Sequence, residues 1–252
     1  MTFKTEDFAR NLAAAQMSAH HVTWDEASAP ATLAAAMQVQ AMSLRVIGAD
    51  LGGFKLGFNA EGVAIAGPML KSMVTPSPAR LTLPARGGLL AEIEIAFRLG
   101  SDLPPRARPY LRDEVLAHVG EVLIGIEWLC PRLDARAAAH FPSWLADRLG
   151  NYGYVTGASV AVSKMADITN LRTQMWVDGD LTHDKLGGHP QNDPLLPLLA
   201  YANAQNDACG GLKSGLVITT GSLTTPLPIK SPCEIRAEIA GIGSVAASVV
   251  KA

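Results

Sequence analysis

The chain is predicted to be an α+β protein, a helical N-terminal region followed by a strand-rich body. Three observations predict this. Apolar residues recur at helical spacing within the first fifty positions. From Gly52 onward they fall into short runs broken by Gly and Pro, with glycine pairs at 52–53, 87–88, 187–188 and 210–211. Several of those runs alternate apolar and polar residues, the period of a strand with one buried face. The helical region is expected over 1–50 and the body over 51–252, integrated into one domain, since 252 residues supply ample volume for a large core.

Residues 5–19 read as a helix with Thr5 as N-cap and Phe8, Leu12, Ala15 and Ala19 on one face. A second helix spans 30–47, with Pro30 in its first turn and Gly48 as its stop. Within the body, 110–119 and 144–149 read as helical, and 194–208 as a helix ending before Gly210. Most of the remainder reads as strand. Val177-Asp178-Gly179-Asp180 is a hairpin signal, and 233–239 alternates so that Glu234, Arg236 and Glu238 share a solvated face.

Composition excludes several classes of function. A net charge of -2 with dispersed Lys and Arg gives no basic stripe, so nucleic acid is not an expected partner. Cys130, Cys209 and Cys233 are far apart and lack metal-ligand spacing, which fits a reducing compartment, the cytoplasm. No apolar run approaches the ~18 residues of a membrane span, and the N-terminal Met1-Thr2-Phe3-Lys4-Thr5-Glu6-Asp7 has no signal-peptide stretch.

Carboxylates are the most informative residues. Glu92 and Glu94 lie one residue apart in a strand-like run, so they share one face while Ile93, Ile95 and Phe97 share the other. Either that face is solvated, as on a half-exposed antiparallel strand, or the two carboxylates converge on a cation. Glu127 favours the cation, because it stands in the apolar run Val122-Leu123-Ile124-Gly125-Ile126-Glu127-Trp128-Leu129, where burial without a partner is costly. Arg132 is an alternative partner. Oxygen-rich clusters suit magnesium or manganese better than zinc.

Lys55, between glycines and apolar residues, reads as a partly desolvated ammonium that exchanges protons, as a fixed charge that binds a carboxylate, or as a snorkelling surface lysine. Thr219-Thr220-Gly221-Ser222-Leu223-Thr224-Thr225-Pro226 offers hydroxyls and backbone N–H groups to an anionic oxygen, or is simply a turn. His189, after two glycines and before Pro190, either lines a site or is a hydrogen-bonded structural residue. No nucleophile elbow, dinucleotide fingerprint, phosphate loop or zinc signature is present.

The order of these pieces resembles the 2-keto-4-pentenoate hydratase and 4-oxalocrotonate decarboxylase group of the fumarylacetoacetate hydrolase superfamily, from about residue 30 onward. The resemblance implies a mixed β-sandwich roll with an N-terminal helical region, and Mg2+ or Mn2+ on Glu92, Glu94 and Glu127. It implies Lys55 as the active-site lysine of a Gly-x-Lys-x-Gly motif, and Thr220, Gly221, Ser222 and Leu223 as the turn facing the substrate, with His189 nearby. Asp147 is similar to the aspartate of the group's Ala-Asp-Asn motif, although Arg148 stands where the asparagine belongs. A Pro-Asp-Tyr-Gly-like segment is replaced by Ala66-Gly67-Pro68-Met69-Leu70-Lys71-Ser72-Met73, which lacks the aspartate. The implied activity is a lyase of aromatic-compound catabolism, a hydratase adding water to a short 2-hydroxy-2,4-dienoate or 2-oxo-enoate to give a 4-hydroxy-2-oxo acid. Alternatives are a 2-oxo-dioate decarboxylase, an acylpyruvate hydrolase, or a non-catalytic subunit of such an enzyme. Homo-oligomers, with or without a second pathway enzyme, are implied as well. Arg86, Arg98, Arg106, Arg108 and Arg148 are each open as readers of a second substrate carboxylate.

Overall fold

The computed structural model describes residues 2–251 apart from 17, 24, 165, 166 and 231. Helices α1 (Thr2–Ala15) and α2 (Leu33–Ile47) come first. Phe8, Leu12 and Ala15 are buried as their spacing requires, but α1 begins before Thr5, which therefore lies within the helix and is not its cap. The end falls short of Ala19 because i→i−3 bonds tighten the last turn: Gln16 N–H donates to Ala13 and Ser18 N–H to Ala15. In α2 the Thr32 hydroxyl accepts the Ala35 N–H at 3.1 Å, so the cap lies two residues beyond Pro30. Gly48, at φ 69°, ends the helix as expected.

The body runs β1 (Leu51–Phe58), β2 (Ala64–Leu70), a 3-10 turn at Lys71–Met73, β3 (Val74–Pro76), β4 (Ala79–Thr82), β5 (Leu90–Leu99), α3 (Arg112–His118), β6 (Val119–Leu129), α4 (Ala135–Ala139), α5 (Phe141–Ala146) and β7 (Asn151–Ala161). It continues through β8 (Arg172–Val177), β9 (Asp180–Leu186), α6 (Leu196–Ala202), β10 (Val217–Ser222), β11 (Leu227–Pro228), β12 (Cys233–Ile239) and β13 (Gly243–Val250). Two of the expected helices shift. The 144–149 segment is helical only to Ala146, because Arg148, Leu149 and Gly150 all take positive φ. The helix expected over 194–208 stops at Ala202: the Asp207 carboxylate draws in the N–H groups of Cys209 and Gly211 and the Tyr201 hydroxyl, a side-chain-capped turn that competes with helix. The β8–β9 hairpin turns through Asp178 and Gly179, both at positive φ, as its sequence demands.

One sheet has the order β2-β1-β10-β5-β6-β7-β3, with β11 beside β5; the other has β4-β13-β12-β8-β9. The main core lies between them. Phe54, Ile93, Ile95, Phe97, Ile124, Ile126, Trp128 and Ile218 meet Ile235, Ala237, Ile239 and Val245 there. Strand β2, at one edge of the larger sheet, leads through three residues into β3 at the opposite edge, so that sheet rolls round and encloses its second face. Met69, Ala96, Leu123, Tyr154 and Val217 pack on that inner face. Helices α1, α2 and α5 pack over Ile65 of β2 through Phe8, Leu12, Met37, Val39 and Leu145. Gly53 lets β1 close on β10: a Cβ there would fall 1.9 Å from the Val217 carbonyl oxygen. No helix among the described residues is long and apolar enough to cross a membrane.

Candidate active site

Strand register assembles the site. Antiparallel pairing sets Glu92 of β5 opposite Glu127 of β6, and Glu94 opposite Gly125. Lys55 of β1 is in register with Thr219 of β10, which pairs with Ala96 of β5. Directly paired residues share a face, so the three glutamates and Lys55 all lie on the inner face of the roll. One carboxylate oxygen from each glutamate lies within 4.8 Å of those from the other two. Lys55 Nζ is 2.9 Å from Glu127 Oε2 and 3.7 Å from Glu92 Oε2. Glu94 and Glu127 are 0% exposed and Glu92 8%, so the solvated-face reading of this strand does not hold.

Gly125 serves the cage by what it lacks. A Cβ there would sit 2.2 Å from the Tyr154 hydroxyl oxygen, so glycine gives the buried ring its place on the same face. Tyr154, Ala96 and Leu123 make the surroundings apolar. Three carboxylates then face one ammonium. Burial, reinforced by Glu127 and opposed by Lys55, pushes Glu92 up to about 7. Glu94 is held well above the usual carboxylate range by burial and by Glu127. For Lys55, burial alone would lower the pKa, but Glu127, Glu92 and Glu94 outweigh it and hold the amine above its ordinary value. In the metal-free cage Lys55 thus carries a positive charge.

The donor set fits a hard divalent cation. All three ligand groups are carboxylates, the site is buried, and both Glu94 oxygens lack a hydrogen-bond partner among the described residues. A prediction about the metal-free protein follows. Glu92 and Glu94 bind a proton more tightly folded than unfolded, so stability should fall as pH rises from about 4.5 to about 7. Melting curves across that range should show the decline, a shallower one in Glu92→Gln, and its reversal by added Mg2+. A melting temperature that rises over the interval in metal-free protein would contradict the charge balance.

The β10 turn stands beside the cage. Its ladder with β5 shifts register between Thr219 and Ser222, which then pairs with Glu94. Thr220 Oγ1 is buried with no partner among the described residues, whereas the Ser222 hydroxyl donates to the Thr224 carbonyl at 2.7 Å. Leu223 N–H donates to the Ile93 carbonyl, tying the turn to the strand that carries Glu92 and Glu94. His189 Nδ1 accepts the Gln191 N–H at 3.2 Å, which leaves Nε2 to donate to the Thr220 carbonyl at 3.1 Å. Burial lowers its pKa, so the neutral ring braces this turn.

The family model for the fumarylacetoacetate hydrolase C-terminal domain matches residues 59–250. The chain belongs to the fumarylacetoacetate hydrolase family. Two solved structures of 4-oxalocrotonate decarboxylase from Pseudomonas putida G7 share this fold over almost its whole length. One is complexed with calcium and acetate and the other with magnesium and adipate; each has a TM-score of 0.84 at 19% and 20% identity, covering 99% of this chain and 98% of theirs. Fumarylpyruvate hydrolase from Pseudomonas aeruginosa, in complex with Mn2+ and pyruvate, aligns over 79% of this chain and 89% of its own with a TM-score of 0.58 and 15% identity.

Other positions in this fumarylacetoacetate hydrolase fold differ from what sequence suggests. Asp147 is buried and its carboxylate is taken up by Arg132, through the guanidinium Nε and, at 2.8 Å, the backbone N–H. Arg132 is therefore not the partner of Glu127. The five open arginines have partners of their own: Arg86 donates to the carbonyls of Ala15, Ser18, Cys130 and Pro131, and Arg98 pairs with Glu121. Arg106 and Arg108 pair with Glu114, and Arg148 donates to Gln16 at 2.6 Å. Asn151, which no sequence signal singles out, donates from Nδ2 to Glu127 Oε1 at 2.8 Å.

Proposed function

We propose that this protein is a lyase that uses Mg2+ or Mn2+ to cleave a short 2-oxo-dioate by decarboxylation, of the 4-oxalocrotonate type. The observation that carries the reading is the buried cage of Glu92, Glu94 and Glu127 with Lys55 at its edge. Magnesium or manganese held there supplies Lewis acidity toward the carboxylate and 2-oxygen of a 2-oxo acid. Glu92, Glu94 and Glu127 would hold that cation, and Lys55 Nζ lies beside them, 2.9 Å from Glu127 Oε2. When the C–C bond to the departing carboxylate breaks, carbon dioxide leaves and its electron pair moves through the conjugated chain to the 2-oxygen. Lys55 Nζ, at the edge of the cage, is placed to balance the negative charge that develops on the 2-oxygen. Protonation of carbon from solvent completes the balance.

Two features support decarboxylation over hydration. Strand β2, which runs beside Lys55 with Gly67 opposite it, is wholly buried and contains no acid, so it offers no base to activate water. A carboxylate that leaves as carbon dioxide is also better served by apolar surroundings than by an arginine, and the five arginines named above are engaged elsewhere. Hydration of a 2-hydroxydienoate is the second reading, favoured by the Thr220 hydroxyl, which is buried without a partner among the described residues and has the means to orient a water.

The test is ultraviolet absorbance of 4-oxalocrotonate and of freshly generated 2-hydroxypenta-2,4-dienoate with metal-stripped protein, before and after Mg2+ or Mn2+. Metal-dependent release of carbon dioxide from the dioate is expected. Turnover of the dienoate alone would establish hydration. No turnover of either substrate by metal-loaded protein would sink both readings and leave a supporting subunit.

A further inference from the structure

The segment between α5 and β7 has a backbone that L-residues rarely adopt. Arg148, Leu149 and Gly150 have φ of 55°, 55° and 72°, three consecutive left-handed residues of which only the last is glycine. A non-glycine residue held this way is strained and persists only where its surroundings over-determine it. They do so here. Arg132, itself 0% exposed, grips both ends of the turn: Nη2 donates to the Asp147 carbonyl at 2.7 Å and to the Asn151 carbonyl at 2.9 Å. Its Nε and backbone N–H engage the Asp147 carboxylate, and Nη1 donates to Gln16 at 3.1 Å. At Gly150 a Cβ would lie 2.3 Å from the Trp144 ring, so a larger residue has no room.

What this turn delivers is Asn151. Strands β6 and β7 pair Trp128 with Gly153 but Leu129 with Asn151, so Tyr152 is passed over in a bulge. Residues 127 and 129 share the inner face, and the bulge puts Asn151 there in place of Tyr152. Glu127 is consequently held at both oxygens, with Lys55 at Oε2 and Asn151 at Oε1. A carboxylate fixed in rotation meets a cation without first losing that freedom.

We propose that Asn151 is a positioning residue that fixes the Glu127 carboxylate for cation binding, and that the clamped left-handed turn at 148–150 serves to aim it. This rests on the reading that Glu92, Glu94 and Glu127 hold a divalent cation. The experiment is calorimetric titration of Mn2+ into metal-stripped wild type, Asn151→Ala, Asn151→Ser and Glu94→Gln, with the electron paramagnetic resonance spectrum of bound Mn2+ recorded for each. Loss of an outer-shell donor should weaken Mn2+ binding about 10–100-fold in Asn151→Ala and broaden its spectrum, with a smaller loss in the serine variant. Wild-type affinity in Asn151→Ala, while Glu94→Gln still loses binding, overturns the positioning role and leaves the cage standing. Absence of binding in wild type, or binding untouched by Glu94→Gln, overturns the cage and the positioning role together. If the alanine variant does not fold, wild-type affinity in Asn151→Ser overturns the proposal and weakened affinity sustains it.

Discussion

Glu94→Gln is expected to lower turnover about 1,000-fold while raising the melting temperature of the metal-free protein, because bound-metal charge stabilisation is worth several kcal/mol and each 1.36 kcal/mol is tenfold in rate. The opposed signs follow from one fact. Glu94 is wholly buried, both its oxygens are unpartnered among the described residues, and Glu127 and Glu92 stand close by. As a carboxylate it burdens the empty cage, and glutamine removes a negative charge at nearly constant shape. The same carboxylate is what a cation needs. Steady-state kinetics with Mg2+ and a thermal melt in chelator check the two halves. Wild-type turnover in this variant would remove Glu94 from the cage.

Lys55→Met should act in the other sense on stability. Removing the ammonium leaves Glu127 and Glu92 without their cation, and breaking a buried pair this way costs about 3–5 kcal/mol. For a chain of this size the metal-free melting temperature should drop by roughly 10 °C. The loss should shrink in acid, where the carboxyls take protons, and saturating Mg2+ should recover part of it by mass action. Turnover should fall as well, and Mg2+ should restore stability but not rate. A melting temperature equal to that of wild type at neutral pH would mean that Lys55 does not balance this charge.

Much of the cage is legible in the sequence because its signals are local. The period-two alternation of a strand puts Glu92 and Glu94 on one face, and an apolar run marks Glu127 as an acid in need of a partner. Pairing is not local: nothing in either run says that residue 92 meets residue 127 across a hairpin whose strands are separated by α3. The charge state of Lys55 is equally hidden, since it depends on three carboxylates from two other strands. Asp147 stands in a recognisable motif, yet its contacts are set by Arg132, fifteen residues earlier in the chain. Asn151 is invisible because its direction depends on a bulge and on positive φ values that Arg148 and Leu149 do not advertise. The helix ends err for a related reason, as with α6, where the Asp207 side chain competes for backbone donors.

The direct pairing of Glu92 with Glu127 also bears on how the sheet finds its correct alignment. Along β5 the residues between and beside the acids, Ile93, Ile95 and Phe97, belong to the core between the two sheets. A slip of one position on either strand would exchange the faces and drive carboxylates into hydrocarbon while lifting isoleucines toward the cage. The carboxylates of the cage therefore act as a proofreading device during assembly, penalising every odd-numbered slip of the hairpin before any cation arrives.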